Sequence, residues 1–295
     1  MNEEKYGVLD VGSNSVRALV YSDGKTLYSG LITSRLGEGL GITGKLSAVA
    51  MIRTVNAIEE LSAKCVIAGA DKVFAFATEA VRSAENGDEF VSLVKERTGL
   101  DVEVISGDEE GELGLLGALS GKDGGIIDIG GASTEITVAK GGKIVYSHSM
   151  PLGAVRLTDL CGEDEKALYE KVSVGVSGYG ELPCGVDYYF IGGTSSAVCM
   201  VAKNMKKFRS EFVDETVLTY DDIAESYSKI KNATLSERVN DLHIDPKRAQ
   251  IIVGGTYLIK FLFERFGFEK VTVKVNDNML GYLRKKVFGE GYEKK

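Results

Sequence analysis

The chain repeats itself, because two stretches about 118 residues apart align without a gap. Residues 7–15 read GVLDVGSNS and residues 125–133 read GIIDIGGAS, while residues 23–29 read DGKTLYS and residues 141–147 read GGKIVYS. In each copy an apolar run ends in an aspartate, a Gly/Ser turn follows, and a Gly-Lys turn leads into a third apolar run. The duplication predicts two similar α/β lobes that face each other across a cleft.

The turns that follow Asp10 and Asp128 suit phosphate binding. Glycine allows positive φ angles and the close approach of backbone N–H groups that phosphate oxygens need. Ordinary hairpins also use glycine, but the duplication favours a pair of phosphate clamps. An aspartate at a strand end either caps the turn or orders magnesium-bound water beside a phosphate, and we expect the second role. The predicted phosphate-binding residues of the turns are Gly12, Ser13, Asn14, Ser15, Gly130, Gly131, Ala132 and Ser133.

Hydrophobic periodicity and turn residues predict the other elements. The 295 residues suit two domains, which we place at 1–121 and 122–295, with the final helix packing back on the first lobe. Both halves show the element order of a ribonuclease-H-like lobe. Helices are predicted at 47–68, 86–98, from 108, around 163–181, from 194, three times within 219–266, and at 277–288, and strands at 72–77, 101–106, 187–191 and 270–275.

Composition excludes several classes of function. The net charge of −8 argues against a general nucleic-acid binder. The two histidines argue against a histidine-rich metal centre or a Ser-His-Asp triad, so a divalent metal would take oxygen ligands, as Mg²⁺ or Mn²⁺ does. The absence of a leader or membrane span predicts a cytoplasmic protein, and the spacing of the four cysteines predicts free thiols. For the densest basic run, a solvated helix end is favoured over a polyanion path; its members are Lys203, Lys206, Lys207 and Arg209.

Several ordered motifs resemble those of the exopolyphosphatase / guanosine pentaphosphate phosphohydrolase (Ppx/GppA) family, within the actin–sugar kinase–Hsp70 superfamily. They span nearly the whole chain. They are DVGSNS at 10–15 with Arg17, RLGEGL at 35–40, TGKLS at 43–47, ATEAVR at 77–82, VISGDEE at 104–110, DIGGASTE at 128–135, PLGAVRL at 151–157, and the glycine turns at 192–194 and 254–255.

The resemblance implies roles for individual residues. Glu110, with Gly111 where the family usually has alanine, would be the general base that activates water. Glu135 would act with Asp128 at the phosphate or metal, and Asp10 completes the expected metal-binding set. Arg17, the repeat counterpart of Glu135, would meet phosphate charge directly. Arg82 would hold the transferring phosphoryl group, and Arg35 and Arg156 are weaker candidates for binding the polyanion.

Glycine turns and two departures complete the comparison with the family. Gly192, Gly193 and Thr194 lie between a predicted strand and helix and form a possible nucleotide-binding turn, with tight helix–strand packing as the alternative. The later turn at 254–255 is predicted between helical segments. Ala132 replaces the third glycine of the family motif, and the family's C-terminal arginine is missing from residues 276–283.

The resemblance implies a two-lobed hydrolase, a homodimer, that uses magnesium or manganese to release terminal phosphate from inorganic polyphosphate or guanosine pentaphosphate. Glu110, Arg82, Asp128 and Glu135 are its expected catalytic residues. Two alternatives stay open. A small-molecule kinase of the same superfamily would need a nucleotide pocket at 192–194, and a nucleotide-binding assembly protein or sensor would show little turnover.

Overall fold

The first half of the chain builds a five-stranded mixed sheet. The computed structural model describes residues 4–294. The elements of the first half are β1 (Tyr6–Val11), β2 (Ser15–Ser22), β3 (Lys25–Thr33), α1 (Leu40–Thr43), α2 (Ala48–Ile67), β4 (Lys72–Ala77), α3 (Glu79–Arg82), α4 (Gly87–Thr98), β5 (Val102–Val104) and α5 (Gly107–Leu119). The strands lie in the order β3-β2-β1-β4-β5, with β1 antiparallel to β2 and parallel to β4.

The second half builds a seven-stranded sheet that contains the same arrangement. Its elements are β6 (Gly124–Ile129), β7 (Thr134–Lys140), β8 (Lys143–Met150), α6 (Ala154–Cys161), α7 (Glu165–Ser177), β9 (Tyr188–Ile191), α8 (Gly192–Ala202), α9 (Ser210–Val213), β10 (Val217–Thr219), α10 (Tyr220–Asn232), α11 (Leu235–Asn240), α12 (Ile252–Phe266), β11 (Lys270–Val273), α13 (Asn278–Lys286) and β12 (Glu293–Lys294). The strand order is β10-β11-β9-β6-β7-β8-β12, so β8-β7-β6-β9-β11 repeats the first sheet. The prediction of two similar α/β lobes is confirmed.

Local sequence explains where the predicted helices begin and end. The Ser47 side chain accepts a hydrogen bond of 3.2 Å from the N–H of Ala50 at the start of α2. Gly99 ends α4 in the left-handed region at φ 74°. At α5 the Ser106 hydroxyl accepts from the N–H of Glu109 at 3.1 Å, so Ser106 is the N-cap. The predictions for these helices are therefore confirmed to within two residues.

The two hairpins match residue by residue. In β1 and β2, Asp10 pairs across the ladder with Arg17, and in β6 and β7, Asp128 pairs with Glu135. The first turn is closed by a hydrogen bond of 3.0 Å from the N–H of Gly12 to the carbonyl of Ser15. The second turn has the equivalent bond, also 3.0 Å, between residues 130 and 133. The internal repeat of the sequence is a repeat of structure.

The last helix of each half packs beyond its own sheet. Side chains of α13, among them Met279 and Leu283, join a buried cluster with Val8 and Phe76 of the first sheet. Most apolar residues of α5 pack instead on the second sheet, since Leu115, Leu116 and Leu119 share a cluster with Ile126, Ala139 and Ile191. α13 therefore packs on the first sheet, and α5 gives the complementary contact with the second.

Glycines let α5 and α13 approach closely. A Cβ on Gly117 would lie 2.0 Å from the carbonyl oxygen of Asp277, and one on Gly281 would lie 1.9 Å from that of Leu113. Real Cβ atoms do not come so near a backbone atom, so only glycine fits at these two positions. Gly281 lies within residues 276–283, where the family's arginine is missing.

Three further features of the fold bear on the sequence predictions. The 254–255 turn was predicted between helices, and this is wrong: both glycines lie in the first turns of α12. The physical reason is helix packing, since a Cβ on Gly255 would lie 2.6 Å from Cγ2 of Thr194. The prediction of free thiols is confirmed for all four cysteines. Within residues 4–294, no helix combines the length and apolarity that crossing a membrane requires.

Candidate active site

The two glycine-rich turns meet in space. A Cβ on Gly131 would lie 2.8 Å from Cβ of Ser13 and 3.4 Å from the backbone nitrogen of Asn14. Gly131 therefore allows the turn of the second half to rest against the turn of the first half. The sequence predicted two equivalent phosphate clamps on opposite lobes, and the structure brings them into contact.

Hydrogen bonds from neighbouring segments hold the carbonyls of both turns. In the first turn, Gly37 donates to the carbonyl of Ser13 at 2.8 Å and Arg35 donates to that of Asn14 at 2.8 Å. In the second turn, the first backbone N–H groups of α6 do the same, because Ala154 donates to Gly130 at 3.0 Å and Val155 donates to Gly131 at 2.8 Å. Each turn is therefore fixed through its carbonyl oxygens.

The N–H groups of the same turns are left free. Within the described chain, no hydrogen bond is formed by the backbone N–H groups of Ser13, Asn14, Gly131 or Ala132. Nearly all buried backbone donors in proteins have a partner. Four free donors on two touching turns are the kind of group that binds an anion.

A cavity of about 640 Å³ lies over these turns. Both halves contribute to its wall. Its volume is large enough for a small phosphate chain or a nucleotide. The predicted residues that line it are Asp10, Gly12, Ser13, Asn14, Ser15, Arg17, Glu110, Asp128, Gly130, Gly131, Ala132, Ser133, Gly192, Gly193 and Thr194. Among the predicted catalytic residues, Arg82 and Glu135 are not part of the lining and lie behind it.

The start of α13 contacts both strand-end aspartates, directly or through an arginine. Arg17 donates from Nε to Oδ2 of Asp10 at 3.1 Å and pairs through Nη1 with Asp277. The next residue, Asn278, donates from Nδ2 to Oδ2 of Asp128 at 3.1 Å. The sequence analysis did not single out Asp277 or Asn278, which lie far along the chain from their partners.

Burial sets the charge state of the two aspartates. Burial raises the pKa of Asp128 to about 6, while the nearby Arg17 guanidinium opposes the rise. The pKa of Asp10 is also raised by burial, against the opposing effect of the same arginine. Gly192 closes the site beside Asp128: it has a φ of +84°, and a Cβ there would lie 2.4 Å from Oδ1 of Asp128. A side chain at this position is excluded by both conformation and space.

Of the acidic residues that open α5, Glu110 faces the cavity and Glu109 does not. Glu109 lies within 3.1 Å of Lys285 Nζ, an ion pair with α13. Glu110 is 7% exposed, and its closest charged partner is Arg82, whose Nη1 lies 3.5 Å from Oε2. Burial, together with repulsion from Glu135 and Asp128, raises the pKa of Glu110 well above its usual value. A base needs a pKa near the operating pH, which an exposed glutamate lacks.

Glu135 lies behind the lining of the cavity and is 1% exposed. One of its oxygens accepts a hydrogen bond of 2.7 Å from Ser149, while the other, Oε2, has no hydrogen-bond partner within residues 4–294. Burial, reinforced by the charge of Asp128, raises the pKa of Glu135 to about 8. The role that the resemblance implies for Glu135 at a phosphate or metal stays a prediction.

The structure adds basic residues to the cavity wall that the sequence analysis missed or placed elsewhere. Arg248, in the segment before α12, lines the cavity beside Gly193, and its guanidinium has no hydrogen bond or ion pair with the rest of residues 4–294. Lys206 and Lys207 of the basic run also line the cavity, although a solvated helix end was favoured for that run. No sequence motif identifies Arg248 as a binding residue, because it lies next to none of the glycine-rich turns of the second half.

Arg35 and Arg156, the weaker polyanion candidates, hold protein groups instead. Arg35 Nη1 donates to Oε1 of Gln250 at 2.8 Å, a contact between the two halves. Arg156 Nε donates to the carbonyl of Ala132 at 2.9 Å, and its Nη2 lies 3.1 Å from Oε1 of Glu79. Neither arginine lines the cavity, so both support the turns from outside.

The acidic residues offer only part of a metal site. Nowhere in residues 4–294 do three His, Cys, Asp or Glu side chains converge closely enough to surround one ion. The free Oε2 of Glu135 and the buried carboxylate of Asp128 are nevertheless oxygen donors of the kind that Mg²⁺ prefers. Mg²⁺ typically takes one or two carboxylates and completes its shell with waters and substrate phosphates. The donors present therefore fit a magnesium ion that binds together with a phosphate substrate.

Comparison with known sequences matches most of this chain to one family. Residues 24–276 match the model of the Ppx/GppA phosphatase family. Exopolyphosphatase 2 of Mycobacterium tuberculosis is 27% identical over 309 residues, covering 94% of this chain and 97% of its own. Exopolyphosphatase 1 of Mycobacterium leprae is 37% identical over 164 residues, which cover 52% of this chain and 48% of its own.

Solved structures agree with the sequence matches. A Ppx/GppA family member from Aquifex aeolicus superposes with a TM-score of 0.79 at 27% identity, covering 99% of this chain and 100% of its own. An exopolyphosphatase from Cytophaga hutchinsonii superposes with a TM-score of 0.85 at 22% identity, covering 97% of this chain and 98% of its own. The second likeness establishes the fold alone.

Proposed function

The chain belongs to the Ppx/GppA phosphatase family, and on this basis we propose that it hydrolyses inorganic polyphosphate, releasing terminal orthophosphate by attack of water. The observation that carries the proposal is the pair of touching turns, whose free N–H groups lie in one cavity with Glu110 and Asp128. The turns supply the anion site and Glu110 supplies a buried base beside it.

The free N–H groups of Ser13, Asn14, Gly131 and Ala132 bind the oxygens of the terminal phosphates. Glu110, whose pKa is raised by burial, accepts a proton from the water that attacks the terminal phosphorus. Loss of that proton makes the water a nucleophile, and the P–O bond to the remaining chain breaks as the new one forms. No covalent intermediate is needed, because positioning and charge neutralisation supply most of the catalysis of phosphoryl transfer.

We propose that Asp128 and Glu135, with Asp10 nearby, hold a magnesium ion when the substrate is bound. Bound magnesium would neutralise charge on the phosphate oxygens. Arg17 fixes the orientation of Asp10 through their ion pair. Arg82 lies behind Glu110 and outside the cavity lining, so we propose that it orients this glutamate.

Guanosine pentaphosphate is the second candidate substrate. Met200, Phe208 and Ile244 line the same cavity as the turns and give part of it an apolar wall. A nucleoside has an apolar base face that such a wall suits, and Arg248 would meet its phosphates. The Gly192–Thr194 turn, proposed to bind the nucleotide, also faces this cavity.

The proposal is tested by measuring phosphate release from long-chain polyphosphate and from guanosine pentaphosphate with magnesium. Wild type is compared with Glu110→Gln, and Glu109→Gln serves as the matched control, since it removes the neighbouring carboxylate of the same helix turn. We expect release by wild type, a loss of about 100- to 10,000-fold in Glu110→Gln, and little change in the control.

No release by folded wild type from either substrate would overturn the hydrolase proposal. ATP-dependent product formation would then favour a kinase, and tight nucleotide binding without turnover would favour a sensor or assembly protein. The expected homodimer and the cytoplasmic location stay predictions, the first of which light scattering of the purified protein checks directly.

A further inference from the structure

One carboxylate holds two arginines that come from different halves of the chain. Glu79, the first residue of α3, accepts from Nη2 of Arg82 at 2.9 Å through Oε2. Its other oxygen, Oε1, accepts from Nη2 of Arg156 in α6 at 3.1 Å. The three side chains are 14%, 24% and 17% exposed, respectively, so the bridge is largely shielded from water.

At one end of the bridge, Arg82 is shared between two carboxylates. Its Nη2 is 2.9 Å from Glu79, whereas its Nη1 is 3.5 Å from Glu110 and also donates to the carbonyl of Ile105. The shorter contact is to Glu79. The guanidinium is therefore kept at the edge of hydrogen-bonding distance from Glu110, and no two-pronged pair with the proposed base forms.

At the other end, Arg156 supports the second phosphate turn. Its Nε donates to the carbonyl of Ala132 at 2.9 Å, and its backbone N–H donates to the carbonyl of Gly131 at 3.0 Å. Residues 131 and 132 carry two of the free N–H groups of the proposed phosphate site. Through Arg156, Glu79 is thus tied to the backbone that would bind the substrate.

We infer that Glu79 is a positioning residue, which restrains Arg82 from pairing fully with Glu110 and connects that arginine to the Gly131–Ala132 turn across the two halves. This inference rests on the proposed function. Nothing in the family resemblance gave Glu79 a role beyond membership of the ATEAVR motif. If the charge of Glu79 is lost, Arg82 keeps Glu110 as its remaining carboxylate partner and closes on it. A base held in a full ion pair is less able to accept the proton from water.

The experiment compares Glu79→Gln, Arg156→Met and the double variant with wild type. Glu38→Gln is the matched control, because Glu38 also contacts two arginines, Arg53 at 3.2 Å and Arg35 at 3.5 Å, but all three belong to the first half. Phosphate release from polyphosphate gives kcat and KM, and urea unfolding gives the stability of each variant.

We expect kcat of Glu79→Gln to fall by about 10- to 100-fold with KM nearly unchanged. The reason is that the displaced Arg82 acts on Glu110, the proposed base. Arg156→Met should lower kcat less, since Arg82 keeps Glu79. The changes in unfolding free energy caused by the two single substitutions should not add up to the change in the double variant, as is usual for side chains in contact. Glu38→Gln should keep the kcat of wild type.

The outcomes separate the inference from the proposed function. An inactive wild type overturns the function, and the unfolding cycle still decides whether Glu79 couples to Arg156. Additive effects in that cycle overturn the bridge. An active wild type with an equal kcat in Glu79→Gln overturns the positioning role, and so does a fall in kcat that Glu38→Gln reproduces. If Glu79→Gln does not fold, Arg156→Met tests the same bridge from the other half, and a kcat equal to that of wild type counts against it.

Discussion

Nδ2 of Asn278 donates a hydrogen bond of 3.1 Å to Oδ2 of Asp128, although the two residues are 150 positions apart. The preceding residue, Asp277, pairs with Arg17, which in turn holds Asp10. Two consecutive residues at the start of α13 therefore support the strand-end aspartates of both hairpins. The final helix is part of the candidate active site as well as of the core.

Asn278→Ala should move the acidic limb of the pH–rate profile to higher pH. The amide stabilises the ionised form of Asp128, so its loss should raise a pKa that burial has already raised to about 6. The rate of phosphate release should therefore fall more at pH 6 than at pH 8. Asn232→Ala, which removes an exposed asparagine from α10, should leave the profile in place. An acidic limb that stays at the same pH in Asn278→Ala would contradict the assignment of this limb to Asp128.

Glu135→Gln should stabilise the protein at alkaline pH while impairing hydrolysis. Burial raises the pKa of Glu135 from its ordinary value of 4.5 to about 8, so the native state holds this proton more tightly than the unfolded chain does. Stability contributed by that proton is present below pH 4.5 and is lost as the pH rises to 8. Since glutamine carries no charge, the gain in unfolding free energy over wild type should grow across this window and exceed about 1 kcal/mol at its upper end.

Urea unfolding at several pH values measures that difference. Ser149→Ala is a useful companion, because it removes the hydrogen bond to Oε1 without removing the carboxylate. A difference that stays constant with pH would show that Glu135 is not held protonated by its surroundings.

Arg248→Gln should weaken substrate binding more than turnover. The guanidinium faces the cavity without a partner among the described residues, so it is available to phosphate oxygens. A charge-assisted hydrogen bond is worth about 1.5–3 kcal/mol, which corresponds to a rise in KM of about 10- to 100-fold. Steady-state kinetics with polyphosphate measures it, and Arg97→Gln, which removes a surface ion pair with Glu59, is the control. An unchanged KM would exclude Arg248 from the binding site.

Gly281→Ala should destabilise the fold strongly. The added methyl would lie 1.9 Å from the carbonyl oxygen of Leu113, so α5 and α13 would have to separate. The cost should be at least about 2 kcal/mol, as for other overpacked cores. Gly41→Ala is the control, since its Cβ would meet Arg156 at an ordinary 3.5 Å. Thermal unfolding of the two variants, compared with wild type, checks the prediction, and equal melting temperatures would contradict it.

The internal repeat made the hairpins predictable from sequence. Asp10 and Asp128 are the next-to-last residues of their strands, one position from the expected end, and both turns line one cavity. Such features are encoded locally, by alternating apolar residues and by glycine. The choice of Glu110 over Glu109 came from the family resemblance and stays a prediction. In the structure Glu110 lines the cavity, whereas Glu109 pairs with Lys285.

The residues that were missed reach the site through tertiary packing. Arg248, Asp277 and Asn278 follow no repeat, and only the folding of the second half brings them to turns that lie far earlier in the chain. The helix α6 was missed as well, because residues 151–157 were considered only as a family motif and the helix has only eight residues. Its first N–H groups nevertheless hold the second glycine-rich turn.

The exchange of terminal helices also orders events during synthesis. Val8 and Phe76 belong to strands made early, yet the side chains that cover them, Met279 and Leu283, come from α13. As the ribosome proceeds from the N-terminus, the first sheet emerges with this face uncovered and waits for about 200 further residues, tens of seconds at ordinary rates of elongation. Because Asp277 and Asn278 hold Asp10 and Asp128 through Arg17 and directly, the candidate active site is complete only after the start of α13 has been synthesised.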